Sequence, residues 1–243
     1  DHMGAGAKAH LEDLGVDVSM IETKRNRTSA IYLSILNDKN DMELAISDMD
    51  VVKYILPDIL DRNARALAAA KVIAIDGNLE RETIEYAAKK FSGIPLFFDP
   101  VSTPKAVRAA DVIGSFTCVK PNVMEAEVLS GIRIESEADL KRAGQWFIDK
   151  GVKKVFITLN KDGVYYKDKD EEGFIRPGRV IVNSATGAGD SFSAAILMGM
   201  ASGMEIKDIA RYGMAAAQIT MESRHAVNQY MCKEEIERRI KNV

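Results

Sequence analysis

From residue 50 onward, short apolar runs alternate with segments of helical spacing. The apolar runs fall at 71–76, 94–98, 116–119 and 154–158. Helical patterns lie between them, at 51–69 with a break near Pro57, then at 81–91, 104–109 and 137–150. Strands this short and this apolar, separated by helices, form a mostly parallel sheet covered by helices on both faces. Such α/β sheets bind ligands beyond the carboxyl ends of their strands. Three expected strand ends carry polar residues: Asp76-Gly77-Asn78, Asp99-Pro100-Val101-Ser102 and Lys120-Pro121-Asn122. Any one of them could be a satisfied turn or a helix cap. Three in successive units point to a shared site.

The 243 residues suffice for one large α/β domain, or one domain with a small appendage. The appendage is written at 26–49, where two β-rich stretches, 28–36 and 42–49, flank the turn-forming residues 37–41. A hairpin projecting from an α/β domain acts as a lid or an oligomer contact. Beyond a second expected hairpin, at 164–166 and 173–175, helices are expected at 191–201, 206–221 and 233–241. Near the start, Gly4-Ala5-Gly6-Ala7-Lys8-Ala9 has dinucleotide-loop spacing, but no strand precedes it, so a helix over 5–14 ended by Gly15 is expected instead.

Composition removes several function classes. A net charge of -3 without a basic block argues against nucleic-acid binding. No apolar run approaches the roughly 18 residues of a membrane span, and no signal-peptide pattern opens the chain. Cys118 and Cys232 lack metal-ligand spacing and read as reduced thiols, which makes a cytoplasmic protein the expectation. His2, His10 and His225 are far apart in sequence, a poor basis for a zinc site or a histidine triad.

The stretch richest in chemistry is Asn183-Ser184-Ala185-Thr186-Gly187-Ala188-Gly189-Asp190. Its glycines allow a tight turn and close approach to a ligand. The helix that follows presents unpaired N–H groups and a positive dipole end to that turn, which attracts phosphate. A carboxylate at Asp190 could take a proton from a hydroxyl while those N–H groups hold a phosphoryl group. The plainer reading is that Asp190 caps the helix. A P-loop is excluded because no Lys follows the glycines, and a dinucleotide fingerprint because Phe192 stands at its sixth position. The second motif, Lys120-Pro121-Asn122-Val123-Met124-Glu125, has the spacing of a capping box with Asn as the cap.

Residues 186–190 resemble the Asp-Thr-x-Gly-Ala-Gly-Asp signature of the ribokinase-like, or PfkB, family of sugar and nucleoside kinases. The ordered set of lid strands, Asn-x-x-Glu, nucleotide loop, Gly-Ala-Gly-Asp and final helices matches that family over nearly the whole chain. The resemblance implies one ribokinase-like α/β domain over 1–243 with a β lid. It implies Asp190 as catalytic base, with the N–H groups around Gly187, Ala188 and Gly189 stabilising the transferring phosphoryl group. Thr28, Asn78, Asp99 and Asp190 would face the sugar or nucleoside. Asn122, Thr158, Gly163, Gly187, Gly189 and Asn228 would lie at the nucleotide, and Glu125 would help hold magnesium through water. ATP and Mg2+ are the implied cofactors. Ser184 replaces the signature's first Asp, near a monovalent-cation site, so a K+ requirement is left open. Asn160 replaces the first glycine of the nucleotide loop, although Asn tolerates left-handed backbone angles.

Residues 42–49 look closer to pseudouridine kinases than to ribokinases or fructokinases, and the lid strands of this family often pair with a second subunit, so a homodimer is expected. The family's opening segment, with its first strands, an early substrate-binding Asp and a Gly-Gly pair, is absent from these residues. A ribokinase- or fructokinase-like specificity, and a non-catalytic nucleotide- or sugar-binding protein, are the rival readings.

Overall fold

The structure is a computed structural model that describes residues 1–36, 42–178 and 182–241. Its frame is a six-stranded sheet whose strands follow one another in sequence order. Helix α1 (His2–Asp13) comes first and buries none of its residues. Strands β1 (Ile31–Leu36) and β2 (Met42–Asp48) form a separate antiparallel ribbon. The turn expected at 37–41 lies outside the described residues.

The segment expected as one broken helix is three short pieces: a 3-10 turn (Asp50–Tyr54), α2 (Pro57–Arg62) and α3 (Ala64–Ala68). Pro57 starts α2 at a position where its missing N–H is no loss. Asn63 ends α2 by turning its side-chain amide back to donate to the Ile59 carbonyl, at 2.9 Å.

The sheet proper then begins. β3 (Ile73–Asp76), β4 (Leu96–Asp99), β5 (Cys118–Val119) and β6 (Lys154–Thr158) run parallel. Between them lie α4 (Arg81–Lys90), the short α5 (Thr103–Ala106) continued by a 3-10 segment, α6 (Val123–Ser130) and α7 (Glu137–Asp149). β7 (Val164–Lys167) and β8 (Glu172–Ile175) add an antiparallel margin. Helices α8 (Ala188–Ser202), α9 (Ile206–Met221) and α10 (Lys233–Ile240) complete the chain.

Strand alternation divides the core in two. Ile75, Phe98, Val119, Val155 and Ile157 point to the face covered by α4, α6 and α7. Phe97, Cys118, Phe156 and Val164 point to the face covered by α8 and α9. Strands buried on both faces explain the continuous apolar runs. The parallel register aligns the strand ends: Asp76 pairs with Asp99, Phe98 with Val119, and an isolated bridge joins Asn122 to Thr158. The polar ends of four strands thus form one row, and the start of α8 lies over it. No helix among the described residues is long and apolar enough to cross a membrane.

Candidate active site

The start of α8 sets the geometry. Gly187 is its N-cap, in the left-handed region with φ 83°. A Cβ there would lie 1.9 Å from the Ala226 carbonyl oxygen, so only glycine fits between the turn and residues 223–228. The turn is held from below. Asn183 and Ser184 N–H groups donate to the Met221 carbonyl, and the Ser184 hydroxyl accepts from Thr186 N–H at 3.2 Å. Among the described residues no side chain caps the helix. Asp190 is therefore not the cap, and the plainer reading of that residue is set aside. It stands at the third position of the helix, where the dipole favours an anion. Among the described residues the N–H groups of Gly189 and Asp190 have no acceptor, while that of Ala188 donates weakly to Ala185, at 3.3 Å.

Asp190 opens into a cavity of about 580 Å3 that is also lined by Asp76, Asn78, Asp99, Val101 and Ser193. Apolar walls come from residues such as Phe97 and Leu197. Desolvation by these walls raises the pKa of Asp190, the charges of Asp99 and Asp76 push the same way, and Lys120 opposes them. Asp99 is a bracket. Its Oδ1 accepts from Val101 N–H at 3.1 Å, and its Oδ2 accepts from the Ser193 hydroxyl at 2.8 Å. The buried Lys120 ammonium lies 3.1 Å from the same Oδ2. Asn78 is also engaged. Its side-chain amide donates to Asp76 at 2.9 Å, and its carbonyl oxygen accepts from Lys105 at 2.5 Å. Val101 has φ 67°, an outlier for a β-branched residue. Ser102 N–H closes a three-residue turn around it onto the Pro100 carbonyl, at 2.7 Å.

The Lys120-Pro121-Asn122 motif forms the opposite wall. Asn122 Oδ1 accepts from Glu125 N–H at 2.9 Å, and Asn122 N–H donates to Glu125 Oε2 at 2.8 Å, a complete capping box. The second oxygen of Glu125 takes no hydrogen bond among the described residues. Burial raises the pKa of this carboxyl first of all, against the lowering effects of the Asn122 N–H and Lys120. A buried carboxylate with one uncommitted oxygen fits a hard cation held through water. Among the described residues no cluster of three or more His, Cys, Asp or Glu could hold a metal by itself.

The structure places the other expected site residues as follows. Thr158 N–H donates to the Pro121 carbonyl at 2.9 Å, which brings the end of β6 beside Asn122. Gly163, with φ 102°, lets the β6–β7 turn pass the Ile175 carbonyl, and Asn160 before it has φ 53°, the left-handed angle that suits Asn there. Asn228 donates to the Ile219 carbonyl at 2.7 Å and accepts from Tyr230 N–H at 2.9 Å, bracing the loop over Gly187. Thr28 is exposed at the foot of the ribbon, where its hydroxyl meets Asp48 at 3.4 Å, and it does not line the cavity. Sequence reasoning singled out neither Asp76 nor Ser193 nor Lys120 as a site residue in its own right. Asp76 and Lys120 sat in two of the polar strand ends, a signal available to it. Ser193, one turn after Gly189, gave none.

Parallel strand ends facing a glycine-started helix, with the carboxylates of Asp76, Asp99 and Asp190 in the cleft between, make an α/β phosphotransferase type of site. The pattern of the pfkB family carbohydrate kinases matches residues 1–231, and the chain belongs to that family. It is 31% identical to the pseudouridine kinase of Escherichia coli (strain K12) over 214 residues, 88% of this chain and 68% of that protein. Its fold is similar to that of a carbohydrate kinase from Agrobacterium tumefaciens, with TM-score 0.82 and 25% identity over 100% of this chain and 78% of that one. Arabidopsis thaliana ribokinase complexed with ribose and ATP shares the fold at TM-score 0.79 and 19% identity, over 89% of this chain and 70% of that one.

Proposed function

We propose that the protein transfers the γ-phosphoryl group of ATP to the 5′-hydroxyl of a nucleoside or sugar, with pseudouridine as the preferred acceptor. The observation that carries this reading is the Asp190 carboxylate, set beside unpaired N–H groups at the mouth of α8 and open to a cavity with polar walls. Asp190 takes the hydroxyl proton as the oxygen bonds to the γ-phosphorus, and the bond from that phosphorus to ADP breaks. The Gly187 and Gly189 N–H groups face the charge that develops on the phosphoryl oxygens. Magnesium, when bound, neutralises charge on the ATP phosphates. Glu125 is the residue of this chain that would hold its water shell. Most of the rate enhancement comes from positioning and electrostatics.

The preference for pseudouridine rests on residues 42–49 and on the similarity to the Escherichia coli pseudouridine kinase. Asp76, Asn78 and Asp99 form the polar wall that a ribosyl group would meet. Asn122, Thr158 and Gly163 are read, from the family resemblance, as residues that would meet the nucleotide. The β1–β2 ribbon is read as a lid that joins two copies in a dimer. Two experiments test the proposal. Asp190→Asn should retain ATP binding by calorimetry and lose turnover by several orders of magnitude; an active variant would end the base assignment. A panel of pseudouridine, uridine, ribose and fructose should give its highest kcat/KM with pseudouridine. Turnover confined to ribose or fructose would replace that substrate.

A further inference from the structure

A buried ammonium is costly unless paired, and an apolar pair of similar volume often serves stability as well. The Lys120–Asp99 pair, with Lys120 only 6% exposed, therefore calls for a reason beyond stability. Its position supplies one. A Cβ built on Gly189 would lie 3.9 Å from Lys120 Nζ, so the ammonium sits against the first turn of α8. Ser193 extends the same contact, since its hydroxyl is 2.8 Å from Asp99 Oδ2 and 3.1 Å from the Gly189 carbonyl oxygen. The pair thus ties the ends of β4 and β5 to the turn that carries Asp190.

We propose that the Lys120–Asp99 pair is an electrostatic positioning device for Asp190: Lys120 holds it in the ionised, proton-accepting form, and Asp99 limits that pull. The inference rests on the reading of Asp190 as the base. Among the described residues the charged groups that act on Asp190 are Asp76 at the end of β3, Asp99 at the end of β4 and Lys120 after β5, and Lys120 is the cation of the three. The Lys105 ammonium donates to the Asn78 side chain.

The test follows the Asp190 carboxyl directly, by carbon NMR titration of the full chain labelled at aspartate, alongside the pH profile of kcat with ATP and pseudouridine. Lys120→Met should raise the Asp190 midpoint and the acidic limb by about one pH unit or more. Asp99→Asn should move both the other way, and Lys120→Arg should leave the midpoint in place. The double variant Lys120→Met/Asp99→Asn leaves neither charge buried alone, so it serves if a single variant fails to fold. Its midpoint should fall between those of the two single variants. A merely structural pair would not give shifts of opposite sign. Shifts of one sign, or none, with turnover intact would overturn the inference alone. Midpoints that move oppositely in a protein unable to transfer phosphate from ATP would overturn the kinase reading instead.

Discussion

Asp190 shares its cleft with two other carboxylates and one ammonium, and the walls around it raise its pKa. The sign of the consequence can be worked through. A carboxyl whose folded pKa lies above its unfolded value holds its proton more tightly when folded. The stability this gives is present below the unfolded value and is lost as pH rises through the folded one. At neutral pH the ionised Asp190 is then a net burden on the fold, as functional groups often are. Asp190→Asn carries no charge to desolvate. Urea unfolding should show the variant gaining on the parent protein as pH rises from 4 toward 7.5, with the gap closing in acid. A gap that widens in acid would mean that the native site favours the charge. Turnover should run the opposite way and fall as Asp190 is protonated, at a pH above the ordinary aspartate range. Val101 adds a second local burden, since a β-branched residue held at φ 67° persists only where its surroundings fix it.

The elements differ in how plainly the sequence announces them. β6 and α9 lie where apolar periodicity puts them, at Lys154–Thr158 and Ile206–Met221. The start of α8 does not, because its buried residues begin at Phe192 and continue at Ala195 and Ile196. Ala188, Gly189 and Asp190 form a turn at the cleft in which no residue is fully buried, and periodicity is silent about such a turn. The ribbon shows the same gap between pattern and use. Its strands were legible from β-branched residues, but the register creates the face. Leu33 lies opposite Ile46 and Ile35 opposite Leu44, so these four share one side with Ile31, and all five are exposed. A two-stranded ribbon is marginal alone, and an aliphatic face of this size suits a second copy. The dimer reading is tested by Leu33→Glu with Ile46→Lys. The new charges sit opposite each other and support the hairpin by about 0.2–1 kcal/mol, while the apolar face is lost. Sedimentation should show the parent protein as a dimer and the double variant as a folded monomer. A variant that stays dimeric would place the interface elsewhere.

At the scale of the whole molecule, two apolar clusters share one sheet, and the cleft lies at the seam between them. The strand ends come from the parallel half, which α4, α6 and α7 cover from one side. The turn that carries Asp190 opens α8, which covers the other. This arrangement explains why Lys120, Ser193 and Asp76 were hard to read as one group. They are 73, 44 and 117 positions apart in the pairs Lys120–Ser193, Asp76–Lys120 and Asp76–Ser193, and only the parallel register and the placement of α8 bring them together. It also means that a ligand bound there grips both halves. By mass action, a ligand at 100 times its Kd stabilises by about 2.7 kcal/mol. For a chain of this size each kcal/mol moves Tm by about 2–4 °C, so ATP with magnesium at that level should raise Tm by about 5–10 °C in a single transition. Asp190→Asn should show nearly the same rise, because the N–H cradle, Glu125 and the Lys120 pair remain. Adding pseudouridine should raise Tm further in both proteins. If ATP stabilises neither, the turn before α8 is no nucleotide site. If it stabilises the parent protein alone, Asp190 contributes to binding rather than to the chemical step.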